Sequence, residues 1–320
     1  MCKASSLPAV PTPLPYIVRC GNDTPYVTIN TGNRYVFIIY YEEVNRLKKF
    51  IFCLCFVFAL FAFTPARAAN AAEVDVYVNN KKLVTTDTPR IINSTTYVPL
   101  RAMCELFGAS QISWNDGTKT ATITARGIKI YITQGNTYIT ANGRYFASGE
   151  PVRNIEGRLY VPVRLIASAF ASTVKWDGAS YTVRISDSGK APASGDSYYD
   201  ANEVYWLSRI IYAESGAEPF RGKIAVGNVV MNRVASAQFP NSVYGVIFDK
   251  KYGTQFSPVA NGSIYKTPNA DSIIAAKICL EGYSLNNKVL YFMNPRLAAN
   301  TWISKNRPYA FTIGTHNFYY

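Results

Sequence analysis

Two glutamates four residues apart, Glu214 and Glu218, carry the clearest chemical promise in the chain. Glu214 follows the apolar run Ile210-Ile211-Tyr212-Ala213. A carboxyl group at the mouth of a core has its pKa raised by desolvation, as a general acid working near neutrality requires. Glu218 precedes Pro219, where a carboxylate complements the N-terminus of the next helix, which is a structural task. No second carboxylate stands out as a catalytic partner. Asp249 adjoins Lys250-Lys251, and Asp271 and Glu281 belong to a helical pattern. His316 is the only histidine, so multi-histidine metal sites and Ser-His-Asp machinery are excluded over most of the chain. No phosphate-binding glycine loop or metal-ligand cluster is present, and neither a metal nor another cofactor is expected.

The elements that must position Glu214 follow from periodicity. From Asp200 the pattern is helical: Val204, Leu207 and Ile211 share a face, with Trp206, Ile210 and Ala213 beside it, and the helix gives out around Glu214-Ser215-Gly216. A second helix starts at Pro219, with a stripe of Ile224, Gly227, Val230, Met231 and Val234. A third runs from about Pro268 to Glu281 and is stopped by Gly282. Residues 289–292, 310–313 and 316–319 read as strands. The expected result is an α+β domain over 198–320, helices first and a small antiparallel sheet later.

Upstream lies a different pattern. At a shift of 63 residues, Tyr97-Val98-Pro99-Leu100-Arg101 matches Tyr160-Val161-Pro162-Val163-Arg164, Phe107 matches Phe170, and after a one-residue gap Trp114 matches Trp176. Each unit reads as strands, a short helix after the Val-Pro dipeptide, a Trp strand, a turn and a Thr-rich strand, with Tyr, Val, Phe and Trp expected in the core. Residues 187–197, small and without apolar period, read as a flexible linker.

The chain has 320 residues, enough for two or three domains, and a net charge of +13, which favours an anionic partner. Arg46, Lys48 and Lys49 precede an apolar run from Phe50 to Phe63 that ends in Ala66-Arg67-Ala68. That is the pattern of a secretory signal over 47–68, too short for the roughly 20 apolar residues of a membrane span. Residues 1–46 are then expected to be upstream sequence read in frame, with Leu47 as a TTG start. Removing 1–68 takes seven basic and three acidic residues, leaves +9, and keeps only Cys104 and Cys279, so no disulfide framework is indicated.

The repeat at 75–186 resembles the copper amine oxidase N-terminal-like stalk domain, an accessory module of exported proteins. The name implies no copper here: the region has no His, and Met103 with Cys104 is a poor ligand set. The expected role is a spacer that adds wall affinity.

The blocks Leu207-Ser208-Arg209-Ile210-Ile211-Tyr212-Ala213-Glu214, Glu218-Pro219-Phe220-Arg221-Gly222, Gln255-Phe256-Ser257, Tyr291-Phe292-Met293-Asn294-Pro295 and Gly314-Thr315-His316-Asn317-Phe318-Tyr319 resemble the spore cortex-lytic, or SleB-type, cell-wall hydrolase family. The family usually carries an Ala-Arg-Gly-like tripeptide after its glutamate, where this chain has Ser215-Gly216-Ala217. The resemblance implies a lysozyme-like domain that cleaves peptidoglycan between N-acetylmuramic acid and N-acetylglucosamine, with the family's one glutamate mapping onto Glu214. It also suggests Gln255, Ser257, Tyr291 and Asn294 as lining of a sugar cleft, Trp302 as a stacking face and His316 as an orienting group. The expected architecture is therefore a duplicated β-rich module followed by an α+β lysozyme-like hydrolase domain. The expected setting is the cell envelope or spore cortex, with peptidoglycan as partner, no nucleic acid, no oligomer, and membrane contact only through the export signal. An amidase acting on the peptide stem, or a wall-binding protein without catalysis, are the competing readings. N-terminal sequencing of the exported protein should return a start near Ala69, and finding residues 1–46 on it would overturn the upstream-sequence reading.

Overall fold

In the β-rich domain the two copies of the repeated Tyr-Val-Pro segment meet. Val98 lies opposite Val161, Tyr97 opposite Pro162 and Pro99 opposite Tyr160, so the antiparallel pair is symmetric about the two valines. The computed structural model describes residues 17–18, 26–27, 74–251, 253–298 and 301–320. The expected start at Leu47 and the signal segment 47–68 lie outside them. Met1–Asn70 is one unit, in which Ile17–Val18 and Tyr26–Val27 form a short antiparallel pair. Ala71–Tyr320 is the other.

The β-rich domain runs β1 (Asp75–Val78), β2 (Lys81–Lys82), β3 (Arg90–Ile92), β4 (Thr95–Pro99), α1 (Leu100–Leu106), β5 (Gln111–Asn115), β6 (Thr120–Ala125), β7 (Ile128–Thr133), β8 (Tyr138–Ala141), β9 (Arg144–Ala147), β10 (Arg153–Ile155), β11 (Arg158–Pro162), α2 (Val163–Ala169), β12 (Thr173–Asp177) and β13 (Thr182–Ser186). The order strand, strand, helix, strand, strand thus occurs twice. Three sheets result, ordered β9-β8-β7-β6-β5, β10-β11-β4-β3 and β12-β13-β1-β2. The last is closed by a parallel β13–β1 pair that brings the ends of the domain together. Phe107 and Phe170, equivalent in the repeat, stack with centroids 4.2 Å apart, and Arg126 sits over both rings while pairing with Asp187. Tyr97, Tyr160 and Phe170 are core residues as expected, but Trp114 and Trp176 are not: both lie on the solvent side of their hairpins.

The second domain begins with the short helix α3 (Gly195–Tyr198) and three longer elements, α4 (Ala201–Ser215), α5 (Phe220–Val234) and α8 (Ala270–Leu280). Asp200 caps α4 through its carboxylate, which accepts the N–H groups of Asn202 and Glu203. Leu207, Ile210, Ile211, Ile224, Val230, Ala275 and Ile278 fill the core between the three helices. They approach so closely that a Cβ on Gly227 would lie 2.7 Å from Cys279 Sγ and 2.8 Å from Ile211 Cδ1. Shorter helices α6 (Val243–Ile247), α7 (Ser257–Asn261) and α9 (Trp302–Asn306), which periodicity did not reveal, occupy the connections. The sheet is β14 (Tyr291–Met293), β15 (Tyr309–Ile313) and β16 (His316–Tyr319), with β16 in the centre.

Residues 187–197, expected as a flexible linker, are held along their length. Asn79 exchanges two hydrogen bonds with the Asp187 backbone, Asn142 Nδ2 donates to Pro192 O, and Gly195 N donates to Asn142 O. The hairpin β8–β9 then docks on the second domain. Arg144 forms a bidentate pair with Glu281, Tyr199 Oη donates to the same carboxylate at 2.7 Å, and Tyr138 packs against Phe220. The β-rich domain is therefore more than a spacer, because its hairpin supplies a wall of the helical core. Glu281 is 5% exposed in this pair. Arg144→Met should leave the buried Glu281 charge without its cation, with only the Tyr199 hydroxyl on it, and cost about 3–5 kcal/mol, read as a fall in denaturation midpoint of the mature chain. An unchanged midpoint would mean that the docking contributes nothing to stability.

Candidate functional site

Glu214 occupies the last turn of α4. Leu207, seven residues earlier, is wholly buried on nearly the same stripe of the helix, which is why Glu214 is drawn inward rather than out to solvent. Its carboxyl group is half-buried and accepts no hydrogen bond among the described residues. Desolvation pushes its pKa up to about 7, and the negative end of the helix dipole acts in the same direction. The turn that follows is tight. Ser215 is buried with its hydroxyl on Ile211 O, and a Cβ on Gly216 would lie 2.6 Å from Tyr212 O. The Ser-Gly-Ala departure thus builds its own compact helix end.

Glu218 has a different environment. It does not cap α5, whose N-cap is Pro219 without a side-chain cap bond. Instead its carboxylate reaches the turn between β15 and β16, accepting the Thr315 N–H at 3.0 Å and the Thr315 hydroxyl, with His316 Nδ1 at 3.5 Å. Burial pushes its pKa up, but the Thr315 bonds, then the charges of His316 and Lys223, outweigh this and leave it below the usual carboxylate range. Gly314 has φ +58°, and a Cβ there would fall 1.7 Å from Glu218 Oε2, so only glycine fits against the carboxylate. Besides standing at the helix terminus as expected, Glu218 ties the hairpin to the start of α5.

Two of the predicted site residues gather around Glu218 rather than Glu214. Asn294 Nδ2 donates to Thr315 Oγ1 at 3.0 Å. His316 is buried between Phe292 and Phe318, and burial holds its imidazole below the ordinary value against the pull of Glu218. Gln255 turns back on Gly253 O, and Ser257 is exposed at the first position of α7. Tyr291 is packed by Arg233 on the core side and by Arg307, whose guanidinium also lies over exposed Trp302. No hydrogen bond joins any of these six to Glu214 among the described residues.

Periodicity missed Thr315 and a polar stripe on α5. Asn228 donates to Tyr283 O and accepts from Leu285 N, Asn232 donates to the carbonyls of Asn286 and Val289, and Arg233 Nε donates to Leu290 O. Together they fix the loop that delivers β14. Their signal was the pair Asn228 and Asn232, four residues apart on one helix face, because buried amides in such a position need backbone partners. In the β-rich domain, Met103 and Cys104 are wholly buried and burial pushes the Cys104 thiol up to about 12, so they do not suit a copper ion.

Glu218→Gln should remove charge-assisted bonds and cost about 1.5–3 kcal/mol, more than a helix-terminus charge would. Because the Glu218 pKa is lowered in the folded state, this stabilisation is present at neutral pH and lost as pH falls below the ordinary carboxylate range. Thermal melts from pH 7 downward should therefore converge for wild type and variant, and parallel curves would contradict the tie.

Comparison with known proteins places this geometry in context. The Copper amine oxidase N-terminal domain model matches residues 77–185, and the Cell Wall Hydrolase model matches 217–319. A spore cortex-lytic enzyme of Bacillus cereus is 31% identical over 195 residues, 55% of this chain and 72% of the relative. A spore cortex-lytic enzyme of Bacillus subtilis is 37% identical over 120 residues, 38% of each chain. The solved catalytic domain of a germination-specific lytic transglycosylase from Bacillus anthracis is 39% identical, covering 38% of this chain and 97% of that one, with a TM-score of 0.35. With a cell-wall hydrolase domain behind a β-rich domain, and more than two thirds of a curated relative matched, this chain belongs to the spore cortex-lytic enzyme family.

Proposed function

We propose that the chain is an exported enzyme that cleaves peptidoglycan glycan strands between N-acetylmuramic acid and N-acetylglucosamine as a lytic transglycosylase, with Glu214 as its one acid/base. The observation that carries this reading is the Glu214 carboxyl itself, desolvated, without a hydrogen-bond partner among the described residues, and with a pKa pushed up to about 7. A proton is then available at neutral pH for a leaving oxygen. Retaining and inverting hydrolysis need a second carboxylate about 5–9.5 Å from the first. Glu218 is engaged by Thr315, Glu281 by Arg144 and Tyr199, and Asp200 by the α4 cap. That distribution favours a single-carboxylate route.

In this route Glu214 protonates the glycosidic oxygen as the bond from C1 of the muramyl sugar breaks. The resulting Glu214 carboxylate takes the proton from the same sugar's C6 hydroxyl while that oxygen bonds to C1. Water is not consumed, the product is a 1,6-anhydro sugar, and Glu214 ends protonated. Gln255, Ser257, Tyr291 and Trp302 would line the glycan cleft, whereas Asn294 and His316 would act through the Glu218 tie. The relatives' name, spore cortex-lytic enzyme, supports cortex peptidoglycan as the substrate. We further read residues 47–68 as the export signal, the doubled element order of 75–186 as a duplication, and the 198–320 domain as lysozyme-like.

Glu214→Gln should lose about 10²–10⁴ in rate, with mass spectrometry of digested sacculi as the measure. Wild type should yield anhydro-sugars. New reducing ends would indicate hydrolysis, and free stem peptides an amidase. Because the Glu214 pKa is raised in the folded state, its ionisation costs stability as pH rises between about 4.5 and 7. The glutamine variant should thus melt higher than wild type at pH 8 and alike at pH 4. A variant that stays active, or that melts no higher at pH 8, contradicts the assignment.

A further inference from the structure

In the β-rich domain, the sheet β10-β11-β4-β3 has both of its edge strands on one cavity. Residues 90–92 of β3, residues 152–155 at β10 and the turn at 134–135 line a space of about 530 Å³, within the range of roughly 300–1,000 Å³ common for ligand sites. At the repeat shift of 63, Arg90 is equivalent to Arg153, Ile91 to Asn154 and Ile92 to Ile155, so the two repeats supply matching walls. The register shows which backbone groups are open there. Asn93-Ser94 and Glu156-Gly157 are two-residue turns at positive φ, so the flanking pairs Ile92–Thr95 and Ile155–Arg158 exchange hydrogen bonds. Alternation then bonds Arg90 and Arg153 inward too, and turns the N–H and C=O of Ile91 and Asn154 outward. Val152, two residues before Asn154 on the same edge, already has an outward partner: it donates to Asn136 O and accepts from Gly135 N, both at 2.8 Å. Beyond it, no strand pairs with the outer side of β10 or of β3 among the described residues.

Open edges on a cavity are a template for an extended chain. Each edge offers three residues, about 10 Å, before its hairpin turn, and the 135–136 segment occupies the β10 edge on the far side. The segment that fits is a short peptide rather than a long strand of a protein partner. An arginine stands on each wall. Arg153 is fixed, with Nη2 2.7 Å from Glu150 and Nε donating to Tyr97 Oη. Arg90 is held loosely: its contacts to Glu156 are 3.2–3.4 Å long and that glutamate is 76% exposed. Such a surface pair contributes little, and a ligand carboxylate can take the place of Glu156. Short peptides with free carboxylates are what peptidoglycan carries on its muramyl sugars.

From these observations we infer that the cavity between β3 and β10 binds a stem peptide of peptidoglycan as an added extended segment, through the backbone of Ile91 and Asn154 and the Arg90 guanidinium. The inference rests on the reading of the chain as a peptidoglycan enzyme and gives the β-rich domain a ligand of its own. Binding of the free stem tetrapeptide, with its carboxylates intact, is measured by calorimetry on the mature chain carrying Glu214→Gln. Asn154→Pro removes the outward N–H and leaves the inward ladder whole, since proline is tolerated on that side of an edge strand. It should weaken binding about fivefold, whereas Asn154→Ala, which keeps the N–H, should bind as the parent does. Arg90→Gln should weaken binding about tenfold, and should make no difference to a tetrapeptide amidated at its carboxylates. Because Arg90 is in an exposed pair, this variant decides the matter if the proline lowers the melting temperature. Unchanged binding in Arg90→Gln, or equal losses in Asn154→Pro and Asn154→Ala, overturns the site. An all-L acidic tetrapeptide that binds as tightly overturns the stem-peptide assignment in favour of a protein ligand. On peptide-free glycan, chains with and without Asn154→Pro but with Glu214 intact should release anhydro-sugars alike, and failure of both would overturn the Glu214 reading without touching the cavity.

Discussion

The Glu218 carboxylate is the constraint on which the end of the hydrolase domain next to Glu214 depends. It reaches from the loop between two helices to a hairpin turn ninety-seven residues later, where Thr315 offers it an N–H and a hydroxyl. Gly314 must lack a side chain for that approach, and Asn294 adds a further bond from the end of β14. One charged group thereby fixes the entry to α5, the β15–β16 turn and the end of the central sheet against each other. Glu214, one turn away in sequence, is left with no polar partner, and so keeps its proton to near neutrality. The two glutamates divide the work by environment: hydrogen bonds to the charged form lower one pKa, and desolvation raises the other.

The same logic extends outward through α5. Its apolar side closes the three-helix core, with Gly227 allowing contact with Cys279 and Ile211. Its amide side holds the 283–290 loop largely by backbone carbonyls and thus sets where β14 begins, at Tyr291. At the other boundary of the core, Glu281 ends α8 in the grip of Arg144 from the β-rich domain. The hydrolase core is therefore braced by a hairpin that its own sequence does not contain. A buried bidentate pair of this kind specifies one docking geometry, since a shifted hairpin would leave both charges unpaired.

How far the sequence carries can be judged from particular residues. The α4, α5 and α8 helices were legible because their apolar stripes repeat at helical spacing over more than two turns. The doubled order of the β-rich domain was legible because Tyr-Val-Pro recurs at a fixed shift. Residues 243–247, 257–261 and 302–306 were not legible as helices, since a single turn has no period to read and forms only where tertiary contacts hold it. Trp114 and Trp176 were misplaced in the core because composition favours burial of tryptophan, whereas the hairpins that carry them turn those rings to solvent. The linker at 187–197 looked flexible because small residues have weak local preferences, and it is held by partners such as Asn79 and Asn142 that lie far away in the chain.

What the sequence determined by itself was local: where the longer helices and the strands of the last sheet lie, and that Glu214 ends an apolar helix. Only the tertiary structure decided which glutamate keeps a proton. That choice depends on Thr315 reaching Glu218 and on nothing polar reaching Glu214, both contacts or absences between segments that no periodicity connects. The same holds for Asn294 and His316, whose place beside Glu218 is a matter of how β14 and β16 pair. Hydrogen bonds and desolvation act through space, so a pKa belongs to the folded neighbourhood of a residue rather than to its neighbours in the chain.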